Sequence, residues 1–201
     1  MDFHHLLYLL DLSGTFVFAI SGALRGIKKD MDVFGMLVLA VVTASGGGAL
    51  RSMLIGDYPI PFLHAPSYLI VCALATAIVF FFRDHLIKRT KAVIIFDAFG
   101  MGIFLSLGTT VALDHHLSYW AAVMLGMVTA AFGGVIRDVL CAEVPLIFRK
   151  ELYATACIAG GLVYVLLFHI HAPQAATVFA AMISAIAIRL LSVKYRWSLP
   201  R

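Results

Sequence analysis

The chain repeats itself. Sliding it along itself by 86 residues carries Asp11 of LLDLSGTFVF onto Asp97 of IIFDAFGMGIF. At that one offset, without a gap, Gly14 falls on Gly100, Phe18 on Phe104, Gly22 on Gly108 and Thr43 on Thr129. Gly47 and Gly48 fall on Gly133 and Gly134, Arg51 on Arg137, Leu54 on Leu140, Pro59 on Pro145 and Phe62 on Phe148. In a chain that is 62% hydrophobic, chance leucine matches are cheap, but Asp, Gly, Arg and Pro holding one register are not. The register predicts an internal duplication with copies at 6–82 and 92–168.

Each copy holds three apolar segments: 6–24, 33–54 and 66–82, then 92–113, 119–140 and 152–168. A seventh, 173–191, lies outside the repeat. A spanning helix needs about 20 largely apolar residues, with a range of about 17–25. Only 13% of the 201 residues are charged, against about 25% in soluble domains. The bilayer is therefore the expected solvent, and the short connections leave no room for a soluble catalytic domain. Three spans per copy make the second copy enter the membrane from the opposite face. The predicted fold is all-α and multi-pass: a single transmembrane domain over 1–201, with seven helices as a 3+3 inverted repeat plus one.

Lysine and arginine in the loops set the orientation. Arg25, Lys28 and Lys29 follow the first segment, and Arg83, Lys88, Arg89 and Lys91 follow the third. Arg149 and Lys150 follow the fifth, and Arg189, Lys194, Arg196 and Arg201 close the chain. With seven spans these all lie on one side, so the N-terminus is expected outside and the C-terminus in the cytoplasm. The net charge of +4 reads as this topology signal; no basic block suggests a nucleic-acid partner.

Charge inside a span costs free energy and marks a candidate site. Asp11 sits about 8 Å below one membrane boundary and Asp97 about 8 Å from the other, at ~1.5 Å per residue. In a core of ~30 Å they stay roughly 14 Å apart along the normal, too far to share a proton as an aspartyl protease requires. No metal or nucleophile motif is present, so neither an enzyme nor a cofactor is expected. Arg51 and Arg137 each share a leaflet with the aspartate of their own copy. The expected neighbours are Asp11 with Arg51 and Asp97 with Arg137, with Asp138 competing for Arg137. Such pairs either hold helices in register or line the two mouths of a polar path.

The glycines pose the same choice. Gly46, Gly47 and Gly48 stand in VVTASGGGALRSML, and Gly133 and Gly134 in the matching place. Each costs about 1 kcal/mol against alanine in a helix. They permit close helix packing, or they break the spans and bare carbonyls toward a wet path. Thr43, Ser45 and Thr129 would add hydroxyl oxygens to such a path. Two runs at matched positions, each followed by arginine, favour the path, and Gly22 with Gly26 reads as packing. Leucine at Gly47 and Gly133 is then expected to spare assembly and stop flux.

LDLSGTFVFAISGA, TASGGGALRSML, FDAFGMGIF and TAAFGGVIRDVL together resemble the bacterial relatives of the trimeric intracellular cation channels, also described as glycine-transporter-domain membrane proteins. The resemblance covers nearly the whole chain. It implies a bacterial inner-membrane homotrimer with one pore per subunit, carrying monovalent cations such as potassium and sodium. It also implies kinks in helices two and five at the glycine runs, beside a pore walled by helices one, two, four and five. A carrier of a small zwitterion such as glycine is the alternative. A non-transporting scaffold gains little from broken spans.

Overall fold

The computed structural model describes residues 2–87, 91–148 and 152–197. Lys88, Arg89, Arg149, Lys150 and Arg201, counted above for orientation, lie outside the described residues. Among those described there is no strand. Helix α1 (Phe3–Lys28) turns through a short loop into α2 (Val33–Ile55), which Asp32 caps by accepting the Gly35 N–H at 2.7 Å. Gly56, left-handed at φ 71°, ends α2. A short α3 (Pro61–His64) leads to α4 (Pro66–Phe81), with proline in its first turn, and to α5 (Arg83–Ile87). Then come α6 (Ala92–Asp114), α7 (Tyr119–Leu140), a 3₁₀ turn (Leu146–Phe148), α8 (Ala154–His169) and α9 (Gln174–Tyr195).

Five helices, α1, α2, α6, α7 and α9, are long and apolar enough to cross a membrane. The segments predicted at 66–82 and 152–168 appear as α4 and α8, of 16 residues each. At ~1.5 Å per residue that is about 24 Å, short of a ~30 Å hydrocarbon core. Pro66 sets the start of α4, and α8 begins only after Tyr153, two residues later than the apolar run suggests.

The core is built on α6, which packs against α1, α7, α8 and α9. Gly14 of α1 faces Ile103 and Phe104, Gly100 of α6 faces the Phe18 ring, and the Ser21 hydroxyl donates to the Val93 carbonyl at 3.3 Å. As the number on α1 rises its partner on α6 falls, so the two helices run antiparallel. The Phe18 and Phe104 rings pack between them, tilted by 30° with centroids 5.2 Å apart.

The second crossing is between α2 and α7. A β-carbon on Gly47 would land on the Thr129 carbonyl, and one on Gly133 would land on the Thr43 carbonyl. These are the same contact seen twice, since offset 86 converts Thr43 to Thr129 and Gly47 to Gly133. Reciprocity of this kind is the mark of a two-fold relation between like surfaces. The expected interruption of these helices is corrected here. Both α2 and α7 remain α-helical through their glycines, so their backbone hydrogen-bonding pattern is not broken. The missing side chains bring two backbones together instead. The expectation that leucines at Gly47 and Gly133 spare assembly fails for the same reason.

Candidate functional site

Two clusters of charge flank the α2/α7 crossing. At one end α1 supplies Asp11, α2 supplies Arg51 and α4 supplies Tyr68. The Tyr68 hydroxyl donates to Asp11 Oδ2 at 2.5 Å, and Tyr8 donates to Ser67 Oγ at 3.1 Å beside it. Arg51 is 6% exposed, and its Nε has no hydrogen-bond partner. Asp11 and Arg51 share the wall of a cavity of about 30 Å³ with Ser45, Gly48 and Phe104. They also share an adjoining cleft of about 140 Å³ with Leu7, Tyr8, Leu107 and Val111. The expected neighbours therefore meet across open space, with no direct ion pair among the described residues.

At the other end the charges bond one another directly, with Asp97 Oδ2 and Arg137 Nη2 left without partners among the described residues. Arg137 Nη1 donates to Asp97 Oδ1 at 2.6 Å and to Ser21 Oγ at 2.7 Å, while its Nε donates to Asp138 Oδ1 at 2.9 Å. Asp138 Oδ2 also accepts the Leu146 N–H at 3.0 Å, and Arg25 approaches Oδ1 at 3.4 Å. Arg25 and Lys29 both reach Glu143, at 2.9 and 3.1 Å. Asp97, Arg137 and Asp138 are wholly buried. Asp138, expected as a competitor, joins Asp97 instead, because a guanidinium carries five donors and bonds both.

The pathway candidates divide. Ser45 and Gly48 line the Arg51 cavity, and a β-carbon on Gly48 would meet nothing within 4 Å. Gly46 faces Ile136 and the Gly133 backbone, and Gly134 faces Asp97 and Arg137. Thr43 and Thr129 are wholly buried, packed on Gly22 and Gly108. Their hydroxyls donate to the Leu39 and Leu125 carbonyls at 2.6 and 2.7 Å, and Ser45 does the same to Val41 at 2.8 Å. Those protons are committed to each residue's own helix.

Several residues of these clusters escape a reading by motif. Arg25 counts in sequence as a loop charge, yet it is 9% exposed inside the ionic cluster. It continues the stripe Gly14, Phe18, Ser21 along one helical face, which is the signal that could have found it. Arg189, also counted toward the loops, is wholly buried, its guanidinium 5.0 Å from the Tyr153 ring centre. Tyr68 reads as an interfacial aromatic at the start of a span.

A family model described as "Glycine transporter" matches the chain twice, at residues 8–84 and 94–169, and the two matches begin one repeat offset apart. The "UPF0126 inner membrane protein YadS" of Escherichia coli (strain K12) is 37% identical over 197 residues, covering 97% of this chain and 95% of that one. The solved "TRIC trimeric intracellular cation channel orthologue from Rhodobacter sphaeroides" matches with a TM-score of 0.91 at 32% identity, covering 95% of this chain and 98% of that one. A structure of "a prokaryotic TRIC channel in 0.5 M KCl" matches with a TM-score of 0.90 at 33% identity, covering 98% and 100%. The chain therefore belongs to the bacterial TRIC family, to which the glycine-transporter description is also attached. It is a multi-pass membrane protein and not an enzyme.

Proposed function

We propose that the chain is a monovalent cation channel, passing potassium or sodium, with one path in each subunit of a homotrimer in the bacterial inner membrane. Seven helices cross the bilayer: α1, α2, α4, α6, α7, α8 and α9. The first three and the next three form an inverted repeat over 6–82 and 92–168, and α9 (Gln174–Tyr195) stands outside it. The N-terminus is outside and the C-terminus cytoplasmic, which puts Asp11 and Arg51 at the outer mouth and Asp97 and Arg137 at the inner one.

One observation carries this reading. The reciprocal contact of Gly47 with Thr129 and of Gly133 with Thr43 lies between two clusters of intramembrane charge. The antiparallel course of α1 and α6 supports the inversion, and the solved relatives named as cation channels support the cargo. Ions pass beside that crossing, between α1, α2, α6 and α7. Bends within α2 and α7 at their glycines, without loss of helical bonding, widen the route. Thr43 and Thr129 join its lining only when the crossing loosens. In the described conformation the outer mouth is open and the inner one filled by side chains.

Purified protein in a planar bilayer tests this. Ohmic single-channel steps carried by potassium and indifferent to glycine are expected. A second reading, carriage of a small zwitterion, is favoured by Arg51, a buried cation facing a cleft beside a carboxylate. Saturable uptake of labelled glycine without current steps would replace the channel by that carrier.

A further inference from the structure

The turns that join the first and second helix of each copy are built differently. Offset 86 carries the α1–α2 turn onto the α6–α7 turn, Val33 onto Tyr119, Phe80 onto Leu166 and Arg83 onto His169. In the second copy Tyr119 closes the space beside its turn. Its ring meets the His169 ring edge-on, centroids 5.9 Å apart, with the hydroxyl 3.4 Å from His169 Nδ1. In the first copy Val33 has no ring to send across, and a cleft of about 290 Å³ stands there instead. Asp30 and Asp32 of the turn and Arg83 at the start of α5 line it, together with apolar Val33, Met36 and Phe80. Neither carboxylate is repeated: His116 and Ser118 hold the matching places in the second copy.

The cleft lies where α1 ends and α2 begins, two helices long enough to cross a membrane, so it sits at the bilayer boundary. Phe34, Phe81 and Phe82 beside it are 72%, 80% and 61% exposed, an apolar surface suited to acyl chains. Arg83 holds Asp84 loosely, Nε to Oδ1 at 3.7 Å, and a guanidinium has five donors. Phosphate is matched by such a fork, and carboxylates are matched by an ammonium that carries N–H donors. An anionic headgroup would enter against Asp30 and Asp32, and a quaternary ammonium offers them no N–H. A water needs about 10–15 Å³ of such space, so the cleft admits a whole headgroup. We infer that it binds a phospholipid whose headgroup carries a primary ammonium. The phosphate lies on Arg83, the ammonium on Asp30 and Asp32, and the chains over the exposed phenylalanines. Neither intramembrane charge cluster nor the α2/α7 crossing contributes a residue to this cleft, so the site stands apart from the proposed path.

The test is native mass spectrometry of the full-length protein in detergent, titrated with phosphatidylethanolamine, phosphatidylglycerol or phosphatidylcholine. Phosphatidylethanolamine should be held about three- to tenfold more tightly than the other two. Arg83→Gln and Asp30→Asn should each remove most of that preference. Asparagine tolerates the left-handed backbone at position 30, φ 53°, so the second variant keeps the turn. Val33→Tyr with Arg83→His installs the pair that the other copy carries, and should fold and lose the preference altogether. Equal retention of the three lipids, phosphatidylglycerol held most tightly, or an undiminished preference in these folded variants would overturn the inference. Free phosphoethanolamine at the same concentration should not displace the lipid, and displacement by it would overturn the assignment to a membrane lipid.

Discussion

Arg137 and Arg51 occupy the same place in the two copies of the repeat, yet Arg137 bonds Asp97, Ser21 and Asp138 and leaves its Nη2 without a partner, whereas at Arg51 it is Nε that has none and the counterparts of two of those three partners are Leu107 and Ser52. Three substitutions account for the difference: Asp138 stands where the first copy has Ser52, Ser21 where the second has Leu107, and Arg25 where it has Val111. The same backbone geometry makes a bonded ionic cluster at one end and a lined cleft at the other. Duplication supplies the scaffold, and a few side chains decide at which end the arginine is bonded by charged neighbours.

The strongest way to break this comparison is to unmake the cluster. Asp138→Ala strips Arg137 of one carboxylate and leaves Arg25 and the Leu146 N–H with fewer partners. Removing one partner of a buried pair costs about 3–5 kcal/mol. Ser52→Ala, at the matching place, removes an oxygen that has no partner, and should change stability by no more than about 0.5 kcal/mol. Thermal unfolding in detergent measures both, and equal losses would end the claim that the ends differ.

Next in size come the glycines of the crossing. Gly47→Ala and Gly133→Ala each drive a methyl into a carbonyl, and each should cost about 1–3 kcal/mol or more in the same assay. Unchanged melting in either would mean the backbones do not meet there.

Ser52→Asp sharpens the comparison by rebuilding the cluster at the open end. It places a carboxylate beside Arg51 where Asp138 stands beside Arg137. Stability should rise by about 1–3 kcal/mol, the worth of a hydrogen bond to a charged group. A less stable protein would show that Ser52 does not face Arg51 as its counterpart faces Arg137.

The smallest effects are at Gly48 and Gly134. Gly48→Ala has open space around it and should gain up to about 1 kcal/mol from helix propensity. Gly134→Ala puts a methyl 3.3 Å from Asp97 Oδ1, and that gain should be lost. The difference in melting temperature between the two variants is the readout.

Much of this was legible in the sequence because the repeat preserves register. Asp97 beside Arg137, and Asp11 across from Arg51, followed from asking which charges share a leaflet. The meaning of the glycines did not follow. Close approach and helix breaking both require the absence of a β-carbon, and only coordinates distinguish them; at Gly47 and Gly133 the answer is close approach. Arg25 and Arg189 were misplaced because a cation within a turn or two of a helix end looks like a loop charge whether it points out or in. The openness of the Arg51 end was written in Ser52, Leu107 and Val111, but an apolar residue in an apolar span draws no notice until its counterpart is seen to be Arg25.

We propose that the Arg51 end opens onto the ion path and the Arg137 end is sealed. It is tested most directly by thiol labelling in proteoliposomes, with the native cysteines, all buried, replaced by alanine. Gly48→Cys should react with a small charged reagent added outside and lose its potassium flux, while Gly134→Cys should stay unlabelled with its flux intact. Equal labelling at the two positions, or full labelling of Gly48→Cys with undiminished flux, would contradict it.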